Sequence, residues 1–258
     1  MVSSELERAF SETTKILLGE PLEGIDSYAK WLGKRVPLPH LSKSVISGKD
    51  VWIPPSLDFL GIEFNKSKTI SMEEMEKVNT SPFSPKDLEG ISLSKIISKI
   101  IPPVTYNVGN FRYQTNENVE KSSGAGGGRN LYYCEDVYLG VKNIGFANYT
   151  LYCENVFGAH GVSHSTFSMH IYNSTALSRC FEVDGCSNSS GLYFSHNCEN
   201  VHDSMFCFNA KNLHHAIGNT PLPIEKYKEI KGKLLAEIVK ELKAKKQLGF
   251  DIYSLKRD

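Results

Sequence analysis

Asparagine returns on a fixed beat in the second half of this chain, and that repetition limits the available folds more than any other feature. Asn188, Asn200 and Asn212 are 12 residues apart, inside the matching triplets Cys186-Ser187-Asn188, Cys198-Glu199-Asn200 and Ala210-Lys211-Asn212. Phe194 and Phe206 each follow an asparagine by six residues. Upstream, Asn143 and Asn155 keep the same alternation and Phe167 and Asn173 the six-residue beat, although Gly161 stands where an aromatic was due, and a slip of three residues separates Asn173 from Asn188. Identity recurring at 12 predicts a stacked coil, in which each side chain lies over its counterpart about 4.8 Å away in the next rung. An antiparallel sheet repeats turn residues at such intervals but not residue identities.

The coil assigns a role to each repeating type. Val141, Cys153, Ile171, Cys186, Cys198 and Ala210 stand two places before an asparagine and suit a narrow interior. The amides of Asn143, Asn155, Asn173, Asn188, Asn200 and Asn212 can pass hydrogen bonds along ladders. Aromatic residues then stack on the opposite side. After the last repeat, Pro223 opens a helix in which Ile224, Tyr227, Ile230, Leu234, Leu235, Ile238, Val239 and Leu242 share one face. This helix is expected to cover the open coil or to pair with a second copy.

Residues 1–130 read as a mixed helical and irregular region. Ser3 or Ser4 caps a helix that Gly19 and Pro21 stop, and a short helix follows over 26–32. Strands are expected at 51–53 and 57–64, and Ser71-x-x-Glu74 is a capping box. Ile91, Leu93, Ile96, Ile97, Ile100 and Ile101 predict a buried helix ended by Pro102-Pro103, followed by extended chain over 104–114. The glycine-rich run 122–129 reads as a flexible connector, because it lacks the Gly-Lys-Ser/Thr ending of a P-loop. The expected fold class is therefore mixed: an N-terminal α+β region over 1–130, a short-rung β-solenoid over 131–219, and a closing helix with a basic tail over 220–258.

Composition narrows function mostly by exclusion. Formal charges balance to zero, but 131–216 carries −4 and 224–258 carries +4. No apolar run is long enough to span a membrane, and the start lacks an apolar secretory core, so a cytoplasmic protein with reduced, buried thiols and no membrane partner is expected. The cysteine spacings of 6, 12 and 9 from Cys180 to Cys207 do not form the close pairs of a zinc site. No metal, cofactor, small-molecule substrate or catalytic residue is expected. His214-His215 is the one histidine pair worth testing as a general base.

The segments LERAFSETTKILLG, SRCFEVDGCSNSSGLYFSHNCENVHDSMFCFNAKNLHHAIGN and the helix after them resemble an uncharacterised family of archaeal and related microbial proteins. That resemblance implies no activity. A looser likeness of architecture is to the β-helix scaffold subunits of iron–sulfur cluster assembly.

These readings converge on a non-catalytic binding or assembly protein, homodimeric and docking on a larger complex, with a ribosomal subunit as the most specific partner. Lys240, Lys243, Lys245, Lys246, Lys256 and Arg257 are the candidate partner-binding residues, positioned to meet phosphates. The alternative is a metal or cluster scaffold, or an enzyme using His214 and His215.

Overall fold

A computed structural model describes residues 2–55, 68–78, 83–175 and 177–254. Over 111–217 the backbone winds into a coil of parallel rungs. Glu154 stands opposite Lys142 and Thr166, Met169 opposite Phe181, and Tyr193 opposite Phe181 and Met205, which fixes 12 residues per turn. Each turn has four sides of three residues. Within a side the first residue points inward, the second outward, and the third forms a left-handed corner. The turn beginning at Val141 shows the rule: Val141, Ile144, Ala147 and Thr150 are buried inside. Asn143, Phe146, Tyr149 and Tyr152 sit at its corners with φ of 55°, 54°, 52° and 51°.

The true unit is thus a triplet, of which 6 and 12 are multiples. Asn173 and Asn188 are separated by five triplets, so the expected slip is a move to the next corner of an unbroken coil. Asparagine suits these corners twice over. It tolerates positive φ better than most residues, and its amide reaches the corner above. Asn143 Nδ2 donates to Asn155 Oδ1 at 2.8 Å, and Asn200 Nδ2 to Asn212 Oδ1 at 2.6 Å. Asn118, Asn130, Asn197 and Asn209 form further steps of the same kind.

The interior explains why serine and cysteine recur there. Backbone N–H groups of inward residues point along the axis, and a side chain one turn earlier accepts them. Cys207 N donates to Ser195 Oγ (3.2 Å), Ala216 N to Ser204 Oγ (3.0 Å) and Cys198 N to Cys186 Sγ (3.3 Å). The hydroxyl or thiol in turn donates to the carbonyl two residues before it, as Ser195 does to Tyr193. A buried N–H without such an acceptor costs about 1–3 kcal/mol.

The coil begins 20 residues earlier than the expected 131, since Phe111–Tyr113 already pairs with Gly124–Gly126. The glycine run is therefore part of a rung and not a connector. A Cβ at Gly126 would lie 2.4 Å from the Tyr138 ring, so glycine is required there by close approach. Two registers step by 13 instead of 12: Phe111 to Gly124, and Arg129 to Lys142. In the second, Leu139 and Gly140 take consecutive positive φ values and absorb the extra residue.

A second core lies outside the coil. Helix α1 (Ser4–Leu18), capped by Ser3 and closed by Gly19 at φ 87°, packs on the outward residues Phe157, Met169 and Phe181 together with Ile25, Trp31 and Leu32. The C-terminal helix Ile224–Lys245 starts at the last rung, where Tyr227 meets the His215 ring at 5.6 Å. It then runs back beside this core, and Phe250 reaches Phe194 at 5.1 Å. The tail is pinned by Asp251, which accepts from Arg35 Nε and Nη2 at 3.1 Å and meets Lys34 Nζ at 2.6 Å. Burial would raise its pKa, but those hydrogen bonds and charges hold it well below the carboxylate range.

In the N-terminal region, His40–Lys43 pairs antiparallel with Asp50–Ile53, and Thr69–Ser71 pairs parallel with Asn107–Gly109. The capping box at Ser71 and Glu74 is formed. The strand expected at 57–64 lies outside the described residues. The helix expected to be buried around 91–101 runs instead over 93–104, with a π turn at Ile96–Ile100, and buries none of its residues. An apolar stripe fixes which face seeks cover, not that the described residues supply it.

Two outcomes follow in denaturant unfolding. Ser195→Val strands the Cys207 N–H and lowers stability by about 1–3 kcal/mol, whereas Ser195→Cys keeps an acceptor and costs less than about 1 kcal/mol. Asp251→Asn costs about 2 kcal/mol at neutral pH. Because the folded pKa of Asp251 is depressed, this loss is fully present above the unfolded value near about 3.9. It shrinks as pH falls towards the folded value, so mutant and parent curves converge in acid.

Candidate functional site

Four sides of a coil offer four surfaces, and the chain covers them unequally. The side bearing Tyr132, Phe157, Met169, Phe181, Tyr193 and Met205 is wholly buried under the two long helices. The next side, bearing Glu135, Asn148, His160, Tyr172, Asp184 and His196, is partly roofed by residues 34–37: Tyr172 Oη donates to Lys34 O and Asn148 Nδ2 to Pro37 O. The side bearing Lys142, Glu154, Thr166, Ser178, Ser190 and His202 is flanked by α1. The fourth side carries Tyr138, Leu151, Ser163, Thr175, Ser187, Glu199 and Lys211, and its corners are the most exposed of the coil.

That fourth side is the candidate interaction surface. Two exposed corner tyrosines stand at its edges, Tyr149 at 57% exposure and Tyr152 at 51%, with Leu139 at 41% beside them. The Tyr152 ring stacks on His164 with centroids 4.8 Å apart at 28°. A cavity of about 470 Å³ opens next to them, lined by Leu139, Gly140, Tyr152, Cys153, Glu154 and Thr166. Farther along, the steps Asn197–Asn209 and Asn200–Asn212 border the same side, and Lys211 is paired with Glu199 at 2.5 Å. The surface is flat, rich in amides and hydroxyls, and close to neutral.

The expected ladder residues occupy three different corners. Asn143 and Asn155 share one, Asn173 another, and Asn188, Asn200 and Asn212 a third, in register through Ser187, Glu199 and Lys211. Cys153, Cys186 and Cys198 point inward, as do Cys134, Cys180 and Cys207; all six are free and buried. Burial pushes the Cys134 thiol up to about 12 and that of Cys180 up to about 11. Its hydrogen bond with Cys198, and then burial, push Cys186 up as well. The same hydrogen bond lowers Cys198, which is enclosed like the rest; the thiols held protonated and enclosed are poor nucleophiles and poor metal ligands. Among the described residues no group of three or more His, Cys, Asp or Glu is placed to hold a metal ion.

His214 and His215 are in ring contact, with centroids 6.4 Å apart at 59°, and each also packs on a different neighbour. His214 stacks on His202 at 5.0 Å, and His202 in turn bonds Ser190 at 2.9 Å, while His215 packs against Tyr227. His170 is also enclosed, 1% exposed, stacked on Trp31 at 4.4 Å, with Nδ1 3.1 Å from Tyr172 Oη and 3.2 Å from Glu182. Ile252 N also reaches Glu182, at 3.4 Å. This buried cluster joins the N-terminal segment and the tail to the coil.

The candidate partner-binding lysines are largely engaged within the chain. Lys243 pairs with Glu20 at 2.5 Å, Lys245 with Glu241 at 3.2 Å, and Lys246 lies 4.9 Å over the Tyr28 ring. Lys240 is exposed. Lys256 and Arg257 lie outside the described residues. No family model and no curated protein matches the chain.

Glu135, 3% exposed, accepts from Ser123, and burial with the neighbouring Asp136 pushes its pKa up to about 8. A carboxyl protonated in the folded state and ionised in the unfolded state makes stability fall as pH rises from about 4.3 to about 8. Glu135→Gln removes that slope, so the variant gains on the parent steadily between those pH values in thermal melts. A parallel pair of curves would refute the assignment.

Proposed function

We propose that the protein is a non-catalytic assembly or binding protein that docks on a larger macromolecular complex through the open fourth side of its coil. One observation carries this reading. The chain buries the most apolar side of its own coil and roofs a second, yet leaves Tyr149, Tyr152 and Leu139 in solvent along a rigid, unbroken flank. Tyrosines set among amides and hydroxyls, with few free charges, have the composition of a protein-binding patch. A coil holds such groups at fixed spacing, so little ordering entropy is lost on contact.

A ribosomal subunit is the most specific partner of this reading. Because Lys243, Lys245 and Lys246 already have partners in the chain, the flank and not phosphate neutralisation is the main determinant. A homodimer belongs to the same proposal, with the last rung, Lys211–His214, as the strand edge available for it. The scaffold or enzyme alternative finds less support, since its thiols are enclosed and its two histidines are each packed on a separate ring.

Gradient sedimentation of native extract tests the proposal. The parent protein is expected to migrate with large complexes at low salt, and Tyr149→Asp combined with Tyr152→Asp to return it to the light fractions without a change in melting temperature. A parent protein found only in the light fractions overturns it.

A further inference from the structure

The corner that carries Asn143 and Asn155 changes character in the later rungs. Arg179, Gly191 and Asp203 occupy it in turn, at φ of 53°, 64° and 43°, so a glycine separates two opposite charges. Arginine takes this conformation less readily than asparagine and gains no amide step here. A Cβ at Gly191 would lie 2.6 Å from Asp203 Oδ1, so the carboxylate leans over the place a side chain would fill. A cleft of about 430 Å³ opens at this point between the coil, α1 and the C-terminal helix, and Ile16, Ser178, Ser190, Tyr193 and Lys231 complete its lining. Its polar groups are not satisfied by one another. Among the described residues, neither Arg179 nor Asp203 makes a side-chain hydrogen bond or ion pair. Lys231 is half-buried with Nζ 4.3 Å over the Tyr193 ring and 5.7 Å from that of Tyr227, and it forms no ion pair with the described residues either. A cation drawn partly out of water without a counter-charge favours an anion beside it. Tyr227, one turn earlier, is 3% exposed, and its hydroxyl has no partner among the described residues. The amide ladder fixes the role of Ser190. Asn200 Nδ2 donates to Asn212, so Asn200 Oδ1 accepts from His202 Nε2 at 3.2 Å. His202 Nδ1 then accepts the Ser190 hydroxyl proton at 2.9 Å, which leaves the serine oxygen as an acceptor for the cleft.

We infer that this cleft binds a small acidic amino acid, its two carboxylates on Arg179 and Lys231 and its ammonium on Asp203 and the Ser190 oxygen. The lining charges select that ligand. A simple dianion would set its charge against Asp203, and a neutral amino acid would leave one cation unmatched. Two carboxylates and one ammonium meet all three groups. Ionic groups on the two helices are already paired, Lys228 with Glu225, Lys226 and Lys233 with Glu229, and Arg8 with Glu12. Lys15, exposed next to Ile16 in α1, adds positive charge and no competing acid. Arg179 and Asp203 stand two rungs apart on a rigid coil, about 10 Å between their backbones, so little ordering is needed on binding.

Titration calorimetry of the full chain with L-glutamate and L-aspartate tests the inference. Saturable binding at one site is expected for at least one of them, about tenfold tighter than for glutamine or glutarate, which each lack one of the charges. Arg179→Asn and Lys231→Met are each expected to weaken it about tenfold. Because asparagine suits the corner, Arg179→Asn keeps the parent melting temperature, so its loss of binding is not a loss of folding. Asp203→Asn, which suits the corner equally, is expected to remove the preference for glutamate over glutarate. Tyr149→Asp with Tyr152→Asp leaves the titration unchanged, which separates this site from the docking flank. No saturable binding of either acidic amino acid overturns the inference, as does undiminished binding by Arg179→Asn. A parent that binds glutarate, inorganic phosphate or phosphoethanolamine as tightly as glutamate and aspartate would make the cleft a general anion site, and that result also overturns it.

Discussion

A left-handed residue at every third position is the constraint on which the rest of the coil depends. Such a corner costs an ordinary L-residue about 1–2 kcal/mol, and this chain places Phe146, His170, Glu182, Phe194 and Phe206 there as well as asparagines. The cost is offset locally and differently at each corner. Where the corner faces solvent, asparagine lowers the strain and adds an amide bond to its neighbour. Where it faces the second core, a large ring is held by packing: Phe194 and Phe206 stack at 5.1 Å and 7°. The corner residue follows its surroundings at these edges, and Tyr149 and Tyr152, aromatic yet in solvent, are the exceptions.

The same constraint accounts for the cysteines. Turning every three residues leaves inward N–H groups that neighbouring rungs do not satisfy with carbonyls alone, and a narrow bore admits only small acceptors. Serine and cysteine meet both conditions, and valine, alanine and leucine fill the positions between them. The thiols, whose spacing already argued against a zinc site, line a dry wall, where Cys153 and Cys186 accept N–H bonds and the others donate to carbonyls. This is the physical reason for placing function on the outside of the coil.

Much of this architecture was legible in the sequence, and what escaped did so for identifiable reasons. The 12-residue spacing of Asn188, Asn200 and Asn212 was enough for the stacked axis and for the opposed phenylalanines. The triplet was hidden because its inward position is filled by several small residue types, whose common property is size and not identity; Leu131, Cys134 and Val137 already show it. The glycine run at 122–129 misled because permissive backbone and close packing against Tyr138 require the same residue. Sequence periodicity could not report which side would stay open, since Tyr149 and Tyr152 look like any other aromatic corner until the covering helices are placed.

Two kinds of apolar exposure remain, and their geometry distinguishes them. On the coil, Tyr149, Tyr152 and Leu139 are isolated at rigid corners among polar groups, an arrangement that suits a shaped partner meeting each ring in turn. On helix 93–104 the apolar residues are contiguous, aliphatic and unaccompanied by hydrogen-bonding groups on their own face. A contiguous aliphatic stripe asks only to be kept from water, whereas isolated rings ask for matching pockets.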